Sequence, residues 1–187
     1  MIEIEISRKR EVLKNKEKLE QKLNCKIQIK DKTITIDTDP FNEYEAQRVF
    51  DAINLGFSVE KSLKVLDEEN DFIKINIKDH ANTKNLEVVR SRLIGTHGKT
   101  KKTIEEITKC DISIHDNQVG IIGSAEVTES ALTAVTNIIK GTKQANAYKY
   151  LERINTQKKD KKENPKKINK KENSRIDPED EDLEDLQ

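Results

Sequence analysis

The chain carries one pattern twice. "NCKIQIKD" (24–31) and "KCDISIHD" (109–116) place Cys, Ile, Ile and Asp at identical spacing, 85 residues apart. The same offset pairs Ile34 with Val119, Ile36 with Ile121, Ala46 with Ala131, Ile53 with Ile138 and Gly56 with Gly141. Upstream it pairs Lys14 with Lys99, Lys16 with Lys101 and Glu20 with Glu105. A single offset held over this length marks one supersecondary unit used twice, so the fold must be assembled from two similar halves.

Hydropathy gives the order within the unit. In the second copy "FIKINI" (72–77) alternates as a strand does, and "NTKNLEVVRSRLI" (82–94) repeats Leu86, Val89 and Leu93 at helical spacing. "KTKKTIEEIT" (99–108) predicts a second helix with Ile104 and Ile107 inward. "DISIH" and "QVGII" read as short strands around a polar turn, and "EVTESALTAVTNIIK" (126–140) as an amphipathic helix. The first copy runs strand "IEIEI", an unbroken helix over 10–23, strands "CKIQI" and "TITID", then a helix over 42–53. Matching Ile4 to Ile75 gives an offset of only 71, so a segment of about fourteen residues is absent from the first copy. Two further helices are expected. One spans 58–66, with Ser58 as N-cap, packed between the copies, and the other is "NAYKYLERI" (146–154).

The glycine loop of "LIGTHGKT" (93–100) falls within the segment absent from the first copy. Residues 1–55 contain no glycine, yet Gly95 and Gly98 bracket Thr96 and His97. Glycines at both ends of a helix–helix join let a sugar–phosphate chain approach the main chain, and the helix after them directs N–H groups at it. Arg90, Arg92, Lys99, Lys101 and Lys102 surround the loop with no acidic residue among them, supplying counter-charge. Thr96 and His97 are expected to meet phosphate through their N–H groups. The edge of "DISIH", with Ile112, Ser113 and Ile114, is expected to meet unstacked bases, over an apolar floor of Ile94, Ile104 and Ile107. The order strand–helix–GxxG–helix–strand–strand–helix resembles a type I KH domain (βααββα).

The fold class expected is therefore α+β: two tandem type I KH domains, at 1–67 (degenerate, without GxxG, and including the linker helix 58–66) and 68–156, followed by a charged tail at 157–187. Composition agrees. With aromatics at 4%, no Trp, 33% hydrophobic and 37% charged residues, the cores must be built from Ile, Leu, Val and Ala. The formal net charge of +0 conceals a basic block at 158–171 and an acidic one at 177–187, which predict disorder from 157 onward. No apolar run has the length of a membrane span and the start lacks a signal-peptide core, so a soluble cytoplasmic protein is expected. Cys25 and Cys110 suggest small core residues rather than a disulfide framework or zinc site. His80, His97 and His115 read as exposed loop residues, and Glu105 and Glu106 as a solvated helical face. No nucleophile–base set, carboxylate pair or Walker-type loop points to catalysis, and no cofactor is implied.

A closer resemblance covers about residues 1–156. "RLIGTHGKTKKTIEEIT", "VGIIGSAEVTESALTAV", "GFSVEKSL" and "AYKYLER" resemble the archaeal KH ribosome-assembly factors, the partner-of-Nob and Krr-like proteins. The resemblance implies binding to single-stranded small-subunit rRNA near its 3′ end during maturation, and cooperation with a PIN-domain endonuclease. It carries the family's GxxGKT loop onto Gly95, Thr96, His97, Gly98, Lys99 and Thr100. Two departures stand out: the first copy has no GxxG, and Lys143 and Gln144 occupy the place where the family usually has Pro-His. The competing reading is a KH-fold protein-interaction scaffold, or a general RNA chaperone without rRNA specificity.

Overall fold

The computed structural model describes residues 1–163. The first copy is β1 (Ile2–Glu5), α1 (Lys9–Lys14), α2 (Lys16–Leu23), β2 (Lys26–Lys30), β3 (Thr33–Asp37) and α3 (Pro40–Asn54). Asp39 caps α3, accepting from the Asn42 N–H at 3.0 Å, and Pro40 opens its first turn, where a missing N–H costs nothing. A linker of α4 (Val59–Leu63) and a 3₁₀ turn (Lys64–Leu66) leads to the second copy. That copy is β4 (Asn70–Asn76), α5 (Ile77–His80), α6 (Leu86–Ile94), a 3₁₀ turn (Thr96–Gly98), α7 (Lys99–Thr108), β5 (Asp111–His115), β6 (Gln118–Ser124), α8 (Ala125–Lys140) and α9 (Gln144–Glu163).

Each copy builds an antiparallel three-stranded sheet, ordered β1-β3-β2 and β4-β6-β5. The registers correspond: Ile27 faces Ile36 in one sheet as Ile112 faces Ile121 in the other. Helices cover one face of each sheet and close separate cores, one around Leu19, Ile34 and Phe50, the other around Leu93, Ile104, Ile121 and Val135. Left-handed residues recur at the same offset. Asn24 and Lys109 end α2 and α7, and Asp31 and Asp116 turn the β2–β3 and β5–β6 hairpins.

A third, smaller core joins the copies. Ala52, Leu55, Phe57 and Val65 pack on Ile122 and Phe72, on the outer face of the second sheet. Strand β6 is thereby buried on both faces. Gly120 makes this possible, since a Cβ there would lie 2.2 Å from Leu55 Cδ2 and 2.8 Å from Phe57 Cε2. Around this core, Ser113 Oγ donates to the Leu55 carbonyl at 2.7 Å, Lys74 meets Asp51 at 3.1 Å, and Lys61 and Lys64 each reach Asp111 at 2.7 Å. Ser58 caps α4 as expected, accepting from the Lys61 N–H at 3.4 Å.

Three expectations differ from what is found. The helix over 10–23 breaks at Asn15 (φ −115°, ψ 19°), whose side-chain amide donates back to the Glu11 carbonyl at 2.9 Å. A side chain competing for the main chain interrupts a helix without glycine. The short helix α5 arises because Asn76 accepts from the Lys78 N–H at 2.9 Å and starts a turn directly after β4. The third is the length of α9. It extends to Glu163, so the first part of the charged run that composition marks as disordered is helical. Ala147 and Leu151 are buried in the second core, and Asn155 Nδ2 donates to the Ile107 carbonyl at 2.7 Å. These contacts secure a helix that the charged residues then only extend, and extension costs far less than nucleation. The remainder of the expected tail, 164–187, lies outside the described residues. No helix among the described residues is long and apolar enough to cross a membrane.

Candidate nucleic-acid interface

Between α6 and α7 the chain turns at two glycines with positive φ, Gly95 (74°) and Gly98 (75°), and His97 between them is also left-handed (φ 52°). The glycines serve different purposes. A Cβ on Gly95 would fall 2.1 Å from Thr100 Oγ1 and 2.7 Å from the Thr100 N, so only glycine lets the end of α6 rest against the start of α7. Above Gly98 nothing lies within 4 Å of a built Cβ. That side of the main chain is open to whatever approaches it.

Thr96 and His97 are exposed, and their N–H groups have no partner among the described residues. No side chain caps α7, so its partial positive end is directed at the loop. Lys99 is exposed and in no ion pair among the described residues, whereas Lys102 stands 3.8 Å from Glu106. Ile94, at the last turn of α6, is 38% exposed beside the loop.

Strand β5 is an edge of its sheet. Its main-chain groups alternate between β6 and the open side. On the open side the Ile112 N–H is already taken by Glu105 Oε1 at 2.9 Å, and Lys101 holds the same oxygen at 2.9 Å. Ile114, two residues on, therefore offers the open N–H and carbonyl of this edge. Arg90 spans the far end, its guanidinium donating to the Asp116 carbonyl in the β5–β6 turn at 3.2 Å. Loop, α7, edge strand and turn thus border one groove, with backbone donors on one side and a short open edge on the other.

The family model for the eukaryotic-type KH domain (KH-domain type I) matches residues 71–156. The KH domain-containing protein MJ0443 of Methanocaldococcus jannaschii is 34% identical over 145 residues, covering 74% of this chain and 64% of the relative. RNA-binding protein pno1 of Ixodes scapularis is 28% identical over 140 residues, 71% of this chain and 60% of the relative. A chain in the crystal structure of the a/eIF2alpha–aDim2p–rRNA complex from Pyrococcus horikoshii superimposes with a TM-score of 0.72 at 29% identity, covering 81% of this chain and 92% of that one. This chain resembles the PNO1/Dim2p KH-domain proteins. It spans less than two thirds of the length of these two curated relatives, 64% and 60%.

Within the GxxGKT motif the residues divide. Thr96, His97, Gly98 and Lys99 face outward, but Thr100 is buried behind Gly95 and points away from the groove. Arg92 also turns aside, its Nη1 near Gly141 at the end of α8. Ile112 is buried with its N–H occupied, and Ser113 faces the first copy through its bond to Leu55. Ile104 is buried beneath α7 and Ile107 packs against the same core. Of the predicted set, Arg90, Ile94, Gly95, Thr96, His97, Gly98, Lys99, Lys101 and Ile114 lie on the loop, helix and edge strand that border the groove, whereas Lys102 pairs with Glu106 on the exposed side of α7.

Two residues that sequence reasoning gave no part in the site hold it in shape. Glu105, read as solvated, is the clamp joining α7 to β5. Gln144, which stands in place of the family's usual His, donates from Nε2 to the Arg92 carbonyl and to Thr100 Oγ1, each at 2.9 Å. It ties the end of α6 to the start of α7 from beneath the loop. The signal for Glu105 was its match to Glu20 at the repeat offset. Gln144 was marked only as a departure from the resemblance, with nothing in the sequence to show what it contacts.

The other histidines are outside the site: His80 ends α5 and His115 ends β5, the latter 3.3 Å from Asp116. Burial and the nearby Glu20 push the Cys25 thiol up to about 11, and burial likewise raises Cys110. Both thiols stay protonated at neutral pH, in keeping with a packing role.

Proposed function

We propose that the chain binds single-stranded RNA through the groove of its second copy, and that the RNA is small-subunit rRNA near its 3′ end during ribosome maturation. The observation that carries this reading is the loop. Two left-handed glycines, open space over Gly98, unpartnered N–H groups at Thr96 and His97 and an exposed Lys99 together fit a sugar–phosphate backbone. The short open edge that the Glu105 clamp leaves at Ile114 suits unstacked bases rather than a duplex. The assignment of rRNA rests on kinship: the Pyrococcus relative is named in a complex with rRNA, and other relatives are named pre-rRNA-processing proteins. A PIN-domain endonuclease acting on the same rRNA is the protein partner we assign, and the cytoplasm the compartment. The chain itself is assigned binding and positioning, not catalysis.

Crosslinking in cells, followed by sequencing of the bound RNA, tests the assignment. The expected result is enrichment of precursor small-subunit rRNA close to its 3′ end. Crosslinks spread evenly over cellular RNAs would support a general RNA chaperone instead.

A further inference from the structure

Aromatic residues are scarce in this chain, and two of them stand in the open. Of four Phe and three Tyr, only Phe41 (73%) and Tyr44 (66%) are exposed, and the others pack in or against the three cores. Both lie on α3, one turn apart, on the side away from its buried Ala46, Val49, Phe50 and Ile53. Helical spacing carries that side on through Arg48, Asp51 and Leu55. The Arg48 guanidinium lies 5.8 Å from the centre of the Tyr44 ring, which places the two on one face. The C-terminal half of this face is covered by the second copy: Asp51 meets Lys74 at 3.1 Å, and Leu55 enters the core that joins the copies. The N-terminal half, with Phe41 and Tyr44, is uncovered. The exposed pair therefore continues an interface the molecule already uses.

Charge selects the occupant. Asp39 caps the helix just before Phe41, and Glu45 follows Phe41 by one turn. Neither carboxylate enters an ion pair among the described residues, whereas Glu43 meets the Met1 amine. Residues 37–48 carry four acidic side chains and one basic, and that one, Arg48, is stacked on Tyr44. Such a face repels phosphate. A two-fold pairing with a second copy would set its carboxylates against one another. A cationic segment suits it: ammonium or guanidinium groups meet Asp39, Glu45 and the open face of the Phe41 ring, and apolar side chains cover the rest of the rings.

We propose that the exposed N-terminal half of α3 is a docking face for a basic protein segment, rich in arginine or lysine with apolar side chains between them. The face shares no residue with the glycine loop of the second copy, so partner binding and RNA binding are separable.

The test titrates the full chain with a labelled peptide of arginine and leucine, and with one of glutamate and leucine. It compares the Phe41→Ala, Tyr44→Ala variant after circular dichroism has shown equal folding. The unaltered chain should bind the basic peptide and not the acidic one, and the aromatic variant should bind the basic peptide about tenfold more weakly. An Asp39→Asn, Glu45→Gln variant, in which asparagine keeps the helix cap, should also bind it more weakly at low salt and with a shallower salt dependence. Affinity for a short oligouridine should be the same in all three proteins. Equal affinity of the aromatic variant for the basic peptide would place that peptide on the acidic stretch 177–187 and overturn the proposal. Tighter binding of the acidic peptide would overturn it as well. So would a loss of oligouridine binding in the aromatic variant, which gives the face to RNA, or self-association that this variant abolishes, which gives it to a second copy.

Discussion

At the residue scale, glycine and glutamate fix the site. Gly95→Ala must both adopt a left-handed backbone and displace Thr100, while Gly98→Ala meets only the backbone cost, on the order of 1 kcal/mol. Denaturant unfolding should therefore show Gly95→Ala clearly less stable than Gly98→Ala, and equal midpoints would contradict the close packing of α6 on α7. The clamp makes a parallel prediction for both copies, since Glu20 Oε1 accepts the Ile27 N–H at 2.8 Å and Lys16 stands 3.7 Å from the same oxygen. Glu20→Ala and Glu105→Ala each leave a strand-edge N–H and a lysine without their carboxylate, a loss of about 1–3 kcal/mol. Urea unfolding of both variants checks it, and no loss in either would show the clamp to be ornamental. The matches of Lys16 to Lys101 and Glu20 to Glu105 were visible in the sequence, but their reason was not, because a hydrogen bond from a helix to the strand after it leaves no periodicity. Gln144 was less legible still: it acts on residues 52 and 44 positions away.

At the scale of elements, the start of β5 is fastened to the linker through Asp111. Partial burial alone would raise its carboxyl, but the hydrogen bonds from Lys61 and Lys64, and their charges, outweigh this and hold it below its ordinary 3.8. A carboxyl lowered on folding stabilises the protein at pH values above its unfolded pKa, and that stabilisation is lost as pH falls through the folded value. Asp111→Asn should accordingly be less stable than the unaltered chain at neutral pH and match it in strong acid. A stability difference that stays constant from neutral to acid would contradict the clamp. Most elements were legible from alternation and helical spacing, including α4 through the Ser58 cap. Asn15 was not, since nothing in the local pattern separates a helix-breaking Asn from an exposed one. Nor was the hydrogen bond from Ser113 to the Leu55 carbonyl, which depends on how the copies meet.

Across the whole molecule, the repeat predicted two similar units but not the way they join. Their shared core depends on Gly120, whose lack of a side chain admits Leu55 and Phe57 onto the second sheet. Gly120→Val should force the copies apart, with a loss of about 1–3 kcal/mol or more from overpacking and separate thermal transitions for the two units. A single transition at the original temperature would contradict a packed junction. The central claim is that the Gly95–Gly98 loop meets RNA phosphate. Its most direct test is the Thr96→Asp, His97→Asp variant, titrated with a labelled single-stranded RNA bearing the 3′ end of small-subunit rRNA. Two carboxylates beside the phosphates should weaken binding by about tenfold or more at low salt with the fold intact, and unchanged affinity in the folded variant would place the RNA elsewhere on the protein.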